Sequence, residues 1–234
     1  MSLRQKKNLL FAAAFTIAGI VSLQIPISTI VGSTSKFTLF DSLAPIAGAF
    51  LGTVPGMISV LFMQLTNLLF HSTPLLDAVS IMRLFPALFA TAYFAKKRKI
   101  NVLVPLLAML AFNLHPIGRS VFLYSAYWLI PVFCYFWQDR FILARSLGAT
   151  FTAHAVGSVL WLYAFNLPKT VWLALIPQVA LERGVFALGI VLTYLVANNV
   201  LNYLAKKQFI SPQAVNPKYL WQRLVEPLPK LPWR

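Results

Sequence analysis

The chain has 234 residues, of which 59% are hydrophobic and 11% are charged, and its mean hydropathy is +0.74. An ordinary soluble domain is less apolar and carries about 25% charged residues, so this composition excludes that class. A helical crossing of a bilayer needs roughly 20 apolar residues, which leaves room for about six to eight crossings with short loops. Little sequence remains for a separate aqueous domain.

The net charge of +15 comes from 20 basic and 5 acidic residues, a balance that fits either nucleic acid or a membrane surface. The distribution of the basic residues separates the two. Fifteen of the 20 fall in four short segments beside apolar runs: Arg4, Lys6, Lys7; Lys96, Lys97, Arg98, Lys99; Arg140, Arg145; Lys206, Lys207, Lys218, Arg223, Lys230, Arg234. This positive-inside pattern predicts a multi-pass protein of the cell membrane, with the lipid bilayer and not nucleic acid as its partner.

The apolar runs define the expected elements in chain order. The first run is too long for the apolar region of a signal peptide and is followed by further spans, so we interpret it as the first transmembrane helix. The runs cover approximately residues 9–30, 38–70, 75–95, 100–114, 119–137, 146–165 and 171–205.

The second run is too long for one crossing, because a helix over 38–70 would measure about 50 Å against a hydrocarbon core of about 30 Å. It contains Gly52, Pro55 and Gly56, which favour a break in a helix. Splitting the run there returns the basic block 96–99, and each later basic cluster, to the cytoplasmic side. An external hairpin is then expected around His115–Gly118.

The sequence therefore predicts an all-α bundle of about six full spans plus one or two short helices, with both termini cytoplasmic. The short helices are expected at Thr38–Gly52 and Asn101–Leu114. The predicted bundle covers residues 1–205, and residues 206–234 form a basic, proline-containing tail. We expect this tail to lie on the anionic lipid surface, with a role as a partner-docking strap as the alternative.

Small residues recur every four positions in two places. Ala44, Gly48, Gly52 and Gly56 form one series, which we interpret as a helix-packing stripe inside the bundle. The other series is Ala14 and Ala18, for which both internal packing and an external partner helix remain open.

Ionisable residues inside a membrane are costly and are therefore functional candidates. Under the split topology, His71 and six further ionisable residues lie towards the outer side. The six predicted to bind substrate are Asp77, Arg83, His115, Arg119, Glu182 and Arg183. Their convergence predicts an outward-facing pocket for a small polar or anionic molecule. The alternative is that they form structural ion pairs with one another.

Three other residues have more than one interpretation. His154 is expected to be a hydrogen-bonded core histidine and not a metal ligand. Trp128 and Trp161 are assigned to the aromatic belt at the membrane interface, with stacking on a flat ligand as the alternative. The single Cys134 excludes an internal disulfide and any cysteine-based metal cluster.

Recognisable catalytic motifs are missing from the sequence. It has no His-Glu-x-x-His motif, no Gly-x-Ser-x-Gly elbow and no phosphate-binding Gly-x-x-x-x-Gly-Lys loop. We therefore expect no enzymatic activity, no catalytic residues, no metal and no cofactor, and we place an enzyme of lipid metabolism last among the hypotheses. Energy for any transport would have to come from a partner or an ion gradient.

Two segments resemble a known family. Residues 37–52, FTLFDSLAPIAGAFLG, followed by TVPG at 53–56, resemble the short second helix and Gly/Pro-marked turn of the substrate-binding S components of energy-coupling factor (ECF) transporters. Residues 14–18, AFTIA, look like the Ala-x-x-x-Ala face that these proteins present on their first helix. The resemblance covers about the first 70 residues, and this chain departs from the usual six helices by an apparent extra hairpin.

The resemblance implies a micronutrient-binding subunit, for a vitamin-like small-molecule substrate, energised by a transmembrane coupling subunit and ATPase subunits. Ala14 and Ala18 would then dock on the coupling subunit. The segment from Gln24 to Asp41 would correspond to the loop that covers the ligand. The competing hypothesis is a membrane scaffold of the same fold that docks other membrane proteins without transporting anything.

Overall fold

The computed structural model describes residues 3–29, 36–70, 78–210 and 215–222, and these are mostly helical, as predicted. A short antiparallel hairpin after the first helix was not predicted. The elements in chain order are α1 (Leu3–Ser22), β1 (Pro26–Thr29), β2 (Lys36–Thr38), α2 (Phe40–Leu51), α3 (Thr53–Phe70), α4 (Ala78–Ala95), α5 (Ile100–Leu114), α6 (Pro116–Ser120), α7 (Phe122–Ser125), α8 (Leu129–Trp137), α9 (Ile142–Phe165) and α10 (Lys169–Lys206).

The predicted break in the second apolar run is confirmed. Helix α2 ends at Leu51, Gly52 adopts a φ of 95°, and α3 begins at Thr53. Glycine tolerates this left-handed backbone region because it has no Cβ, whereas the N-terminal turn of α3 accommodates Pro55. Two short antiparallel helices replace one overlong helix.

The small residues of this region pack helices closely, with one exception. Ala44 is fully buried, and its carbonyl oxygen accepts a hydrogen bond from Thr91 Oγ1 of α4 at 3.0 Å. A Cβ at Gly48 would collide with the backbone of α4, and one at Gly56 would collide with α2. Gly52 forms the turn instead, so the stripe is not one continuous helix face.

The predicted span over 119–137 is interrupted. His115 ends α5 and also caps α6, because its Nδ1 accepts a hydrogen bond from the backbone N–H of Ile117 at 3.3 Å. Val121 then leaves helical geometry, with φ −129° and ψ 35°, and a 3-10 turn at Ala126–Trp128 precedes α8. The hydropathy of the run could not reveal these breaks because every piece is apolar.

Helix α1 has a buried face and an exposed face. Phe15 and Gly19 are buried, and Gly19 lies against Met63 of α3. Ala14, Ile17 and Ala18 are exposed, so Ala14 and Ala18 take no part in packing within the described chain. The exposure of this pair favours the interpretation as a surface for an external partner helix.

Three loops or tail segments meet at one end of the bundle. Lys97 lies 4.0 Å from Asp139, Lys218 Nζ donates to the carbonyl oxygens of Asp139 and Arg140, and Arg145 Nη2 donates to Ala95 O. These contacts join the α4–α5 connection, the α8–α9 connection and the C-terminal segment. We call this the basic end. It is defined by Lys96–Lys99, Arg140, Arg145, Lys206, Lys207 and Lys218.

The C-terminal ends of α1 and α3 and the β-hairpin lie at the opposite end of the bundle. Gln24, after α1, donates to Asn67 near the end of α3 at 2.7 Å. Gly48, near the end of α2, contacts Ala95 at the basic end. The N-terminus of α1 and the α2–α3 turn therefore lie towards the basic end, and the β-hairpin lies at the other.

Among the described residues, two helices are long and apolar enough to cross a membrane by length and composition. These are α3 and α10, with mean hydropathies of 1.5 and 1.8 over windows that are only 22% and 33% buried. Helices α2 and α5, and the segments 79–95 and 122–137, are apolar but shorter. This criterion establishes two candidate spans and not the six that the sequence predicts.

Candidate functional site

A cavity of about 720 Å³ lies at the end of the bundle opposite the basic end. Its walls are the hairpin, the N-terminal ends of α2 and α4, the C-terminal parts of α3 and α9, and the N-terminal half of α10. Because successive helices run in opposite directions, the C-terminal parts of α3 and α9 lie at the same end of the bundle as the N-terminal parts of α4 and α10. The size is in the range of about 300–1,000 Å³ that is typical of small-molecule sites.

Three of the six predicted substrate-binding residues line this cavity, namely Arg83, Glu182 and Arg183. His115 and Arg119 lie outside its lining, so the predicted convergence does not include them. His115 instead caps α6 and packs against Tyr163, and the exposed Arg119 Nε reaches Asn113 O at 3.5 Å. Asp77, like His71, lies outside the described residues.

Arg183 is the most enclosed charged group of the site, with 6% of its surface exposed. Its guanidinium lies 4.9 Å from the ring centroid of Phe37 and 4.8 Å from that of Phe186, and these two centroids are 5.0 Å from each other, so the rings lie side by side next to the cation. Its Nη2 is 3.6 Å from Glu182 Oε2, and its Nε is buried without a hydrogen-bond partner. Such a cation has donor capacity that the described protein does not use.

Asp41 is a cavity residue that the sequence reasoning missed as a binding candidate. Its Oδ2 accepts a hydrogen bond from the backbone N–H of Thr38 at 2.8 Å, in the first turn of α2. The carboxylate interacts electrostatically with Arg183 and Arg83. The available signal was that Asp41 is one of only five acidic residues and stands inside an apolar run.

His154 anchors a buried hydrogen-bond network at the cavity wall. Trp128 Nε1 donates to His154 Nδ1 at 3.1 Å, and Tyr124 Oη lies 2.9 Å from His154 Nε2. Ser158 Oγ is within 3.3 Å of that same nitrogen and 3.2 Å of Tyr124 Oη. This confirms the expectation of a hydrogen-bonded core histidine, although His154 also lines the cavity.

The network fixes the histidine tautomer. An indole N–H can only donate, so Nδ1 must accept and the proton of neutral His154 must lie on Nε2. Nε2–H can then donate to Tyr124, and the Tyr124 hydroxyl can donate to Ser158. Ser158 also lines the cavity, where its hydroxyl is available to a ligand.

The two tryptophans assigned to the interface belt have different environments. Trp128 is fully buried and donates to His154, so its assignment to the interface belt is wrong. Trp161 lines the cavity and packs against Phe165 at 5.0 Å between ring centroids. The sequence alone could not predict which tryptophan is buried and which lines the cavity, because both lie in apolar runs.

Side-chain amides connect the helices around the cavity. Gln64 of α3 donates to Leu84 O of α4 at 3.2 Å. Gln178 donates to Glu182 Oε1 at 2.8 Å, one turn along α10. These bonds fix the position of the wall and of the Glu182 carboxylate.

No three His, Cys, Asp or Glu side chains within the described ranges are placed to hold a metal ion. The lining instead combines charged groups, hydroxyls, amides and aromatic rings, which is suited to binding a small organic molecule. No protein-family model, curated protein or solved structure matches the chain.

Proposed function

We propose that this protein is an integral membrane substrate-binding subunit of a micronutrient uptake transporter, with a vitamin-like substrate, energised by a separate coupling subunit and ATPases. The observation that carries the proposal is the cavity, which gathers four charged groups, among them the buried Arg183, at one end of an apolar bundle. The resemblance of residues 14–18 and 37–56 to ECF S components supplies the class of transporter.

Exposed apolar side chains support insertion in a bilayer. Along α10, a single face remains exposed for more than six helical turns; its residues are Leu181, Val185, Leu188, Leu192, Val196, Val200 and Tyr203. Exposed faces of this extent are rare on monomeric soluble proteins, but lipid chains cover them at little cost.

The basic end supports a cytoplasmic location for the α4–α5 and α8–α9 connections and for the C-terminus. In this topology the helices cross the membrane in alternating directions, and α2 and α5 are short segments. Both termini are cytoplasmic. In this orientation the cavity faces the outside, where a nutrient is captured.

The exposed Ala14 and Ala18 support docking on a partner helix. Small side chains let two helix backbones approach closely in lipid, and this pair is not used for packing within the described chain. The exposed Ile17 between them adds an apolar contact. We expect the transmembrane coupling subunit to dock here.

The test of binding is native mass spectrometry of the protein after gentle detergent extraction. We expect a stoichiometric small molecule on the wild-type protein, and its loss from the double variant Arg83→Ala/Arg183→Ala. The matched control is Arg119→Ala, which removes a cation outside the cavity and should leave retention unchanged. Retention by the folded double variant would contradict the pocket assignment.

The test of docking is co-purification of partner subunits. Ala14→Leu/Ala18→Leu should reduce recovery of the coupling subunit and ATPases, because the larger side chains prevent close approach. The matched control is Ala174→Leu/Ala180→Leu, which places the same bulk at exposed positions of α10. Partners recovered with wild-type protein that never carries a small molecule would instead favour the scaffold.

A further inference from the structure

We propose that the cavity selects small aromatic zwitterions, with the carboxylate of the ligand on Arg183, its ammonium group on Glu182 and its ring against the aromatic wall. This inference rests on the proposed function and specifies its substrate class. It is carried by the geometry of the Glu182–Arg183 pair.

The unused donor capacity of Arg183 lies at the edge of its guanidinium, where the N–H groups point. Phe37 and Phe186, at 4.9 and 4.8 Å from the group and 5.0 Å from each other, pack beside it and accept no hydrogen bond from Nε. A guanidinium edge binds a planar carboxylate through parallel N–H bonds. The buried, unpartnered Nε shows that the protein leaves this cation incompletely satisfied.

Glu182 forms an ion pair with Arg183, but the two groups are not within short hydrogen-bonding distance. Its Oε1 accepts from Gln178 at 2.8 Å, and its Oε2 stays 3.6 Å from Arg183 Nη2, longer than a charge-assisted hydrogen bond. Oε2 therefore has capacity for an ammonium donor. An α-amino acid head group carries its carboxylate and ammonium on one carbon, which matches a carboxylate acceptor and a guanidinium donor on consecutive residues.

The charges of the described lining balance, with Asp41 and Glu182 against Arg83 and Arg183. A ligand with a single net charge would leave one charge uncompensated beside the buried Arg183, which is costly. A zwitterion adds two opposite charges and keeps the sum at zero. The described lining therefore has no excess of basic groups that would favour a simple anion.

The rest of the lining favours an aromatic body. Trp161, Trp172 and Tyr124 face the cavity from α9, α10 and α7, and Phe186 continues the surface towards Arg183. Aromatic side chains bind planar rings by stacked and edge-to-face contacts. The Ser158 hydroxyl offers one hydrogen bond at this wall.

The experiment is isothermal titration of the purified full-length protein with three probes that share an indole ring. Tryptophan is the zwitterion, indole-3-propionate keeps only the carboxylate, and tryptamine keeps only the ammonium group. We expect tryptophan to bind at least about tenfold more tightly than either, because each of the other probes lacks the charged contact with Glu182 or with Arg183. Equal or weaker binding of tryptophan would overturn the proposal.

Two variants assign the two ends of the head group. Glu182→Gln should remove the preference for tryptophan over indole-3-propionate, whereas Arg183→Gln should remove its preference over tryptamine. The controls Asp139→Asn and Arg119→Gln make matching changes, acid to amide and arginine to glutamine, outside the cavity. We expect both to keep the wild-type order of probe affinities. Because Arg183→Gln can unfold the protein, Glu182→Gln alone is decisive: an unchanged probe order in this variant contradicts the assignment.

The outcome is distinguishable from failure of the proposed function. If native mass spectrometry finds a bound nutrient that is a simple anion or cation, the transporter proposal stands and the zwitterion inference fails. If neither a co-purified molecule nor any probe binds, both fail.

Discussion

At the scale of single residues, Trp128 shows how a buried polar atom determines the state of its neighbours. Its indole N–H, fully enclosed, forces His154 to accept at Nδ1 and places the imidazole proton on Nε2. The Nε2–H is then available to donate to the Tyr124 hydroxyl, which lies 2.9 Å away. The chemistry offered to the cavity is therefore determined by a residue that does not line it.

Replacing Trp128 by Phe tests this network. The change removes the donor and leaves Nδ1 of His154 buried, so we expect a loss of about 1–3 kcal/mol in the free energy of unfolding. Unfolding in mixed micelles measures it. Trp137→Phe, at an exposed position, is the control and should stay within about 0.5 kcal/mol of wild type. Equal losses in the two variants would contradict the network.

Gly118 determines how closely α5 and α6 can approach. A Cβ there would collide with the backbone carbonyl of Phe112, which belongs to the preceding helix. We expect Gly118→Ala to lower the thermal unfolding temperature, because backbone must move to admit the methyl group.

The comparison variant Gly184→Ala should raise the thermal unfolding temperature, whereas Gly118→Ala should lower it. Nothing lies within 4 Å of the Cβ position at Gly184, in the interior of α10, and alanine there should stabilise the helix by about 0.5–1 kcal/mol. A higher unfolding temperature for Gly118→Ala would contradict the close approach of Gly118 to the Phe112 carbonyl.

At the scale of elements, two asparagines of α10 hold part of the C-terminal segment. Asn198 pairs with Asn216 through two hydrogen bonds of 2.9 and 2.7 Å. Asn199 donates to Tyr219 O at 3.0 Å and accepts from Trp221 N at 2.9 Å. These four bonds attach this part of the tail to the bundle, and the expectation that the tail lies on the lipid surface stays a prediction.

The double variant Asn198→Ala/Asn199→Ala should release residues 215–222, because four hydrogen bonds to the segment's backbone are lost. Limited proteolysis or hydrogen exchange of the backbone amides checks this. Thr193→Ala, on the same helix but bonded to its own backbone at Gly189, is the control. If residues 215–222 of the double variant were as protected from proteolysis and hydrogen exchange as those of wild type, the proposed role of the two asparagines would be contradicted.

What the sequence could predict follows from the range of the forces involved. The break at Gly52 was predictable because glycine and proline act on the backbone locally. The place of Asp41 in the same cavity as Arg183, and the burial of Trp128 against His154, depend on how helices that are distant in the sequence pack together. Hydropathy carries no information about such pairs, and for the same reason it could not separate Arg119 from Arg183.

At the scale of the whole molecule, the basic end and the cavity define two sides. We expect single cysteines at Lys97 and Lys218, introduced into a Cys134→Ala background, to react with an impermeant thiol reagent only after cells are permeabilised. Cysteines at Arg119 and Lys169, towards the cavity end, should react in intact cells. The reverse pattern would invert the orientation and place the cavity inside.

The measurement that tests the central claim most directly is a cryo-electron microscopy map of the ligand-retaining preparation in lipid nanodiscs. The account predicts compact non-protein density in the cavity between Arg183 and Trp161, on the side of the bilayer opposite Lys97. Density of an acyl chain there, or a cavity closed by side chains while the small molecule lies elsewhere, would contradict it.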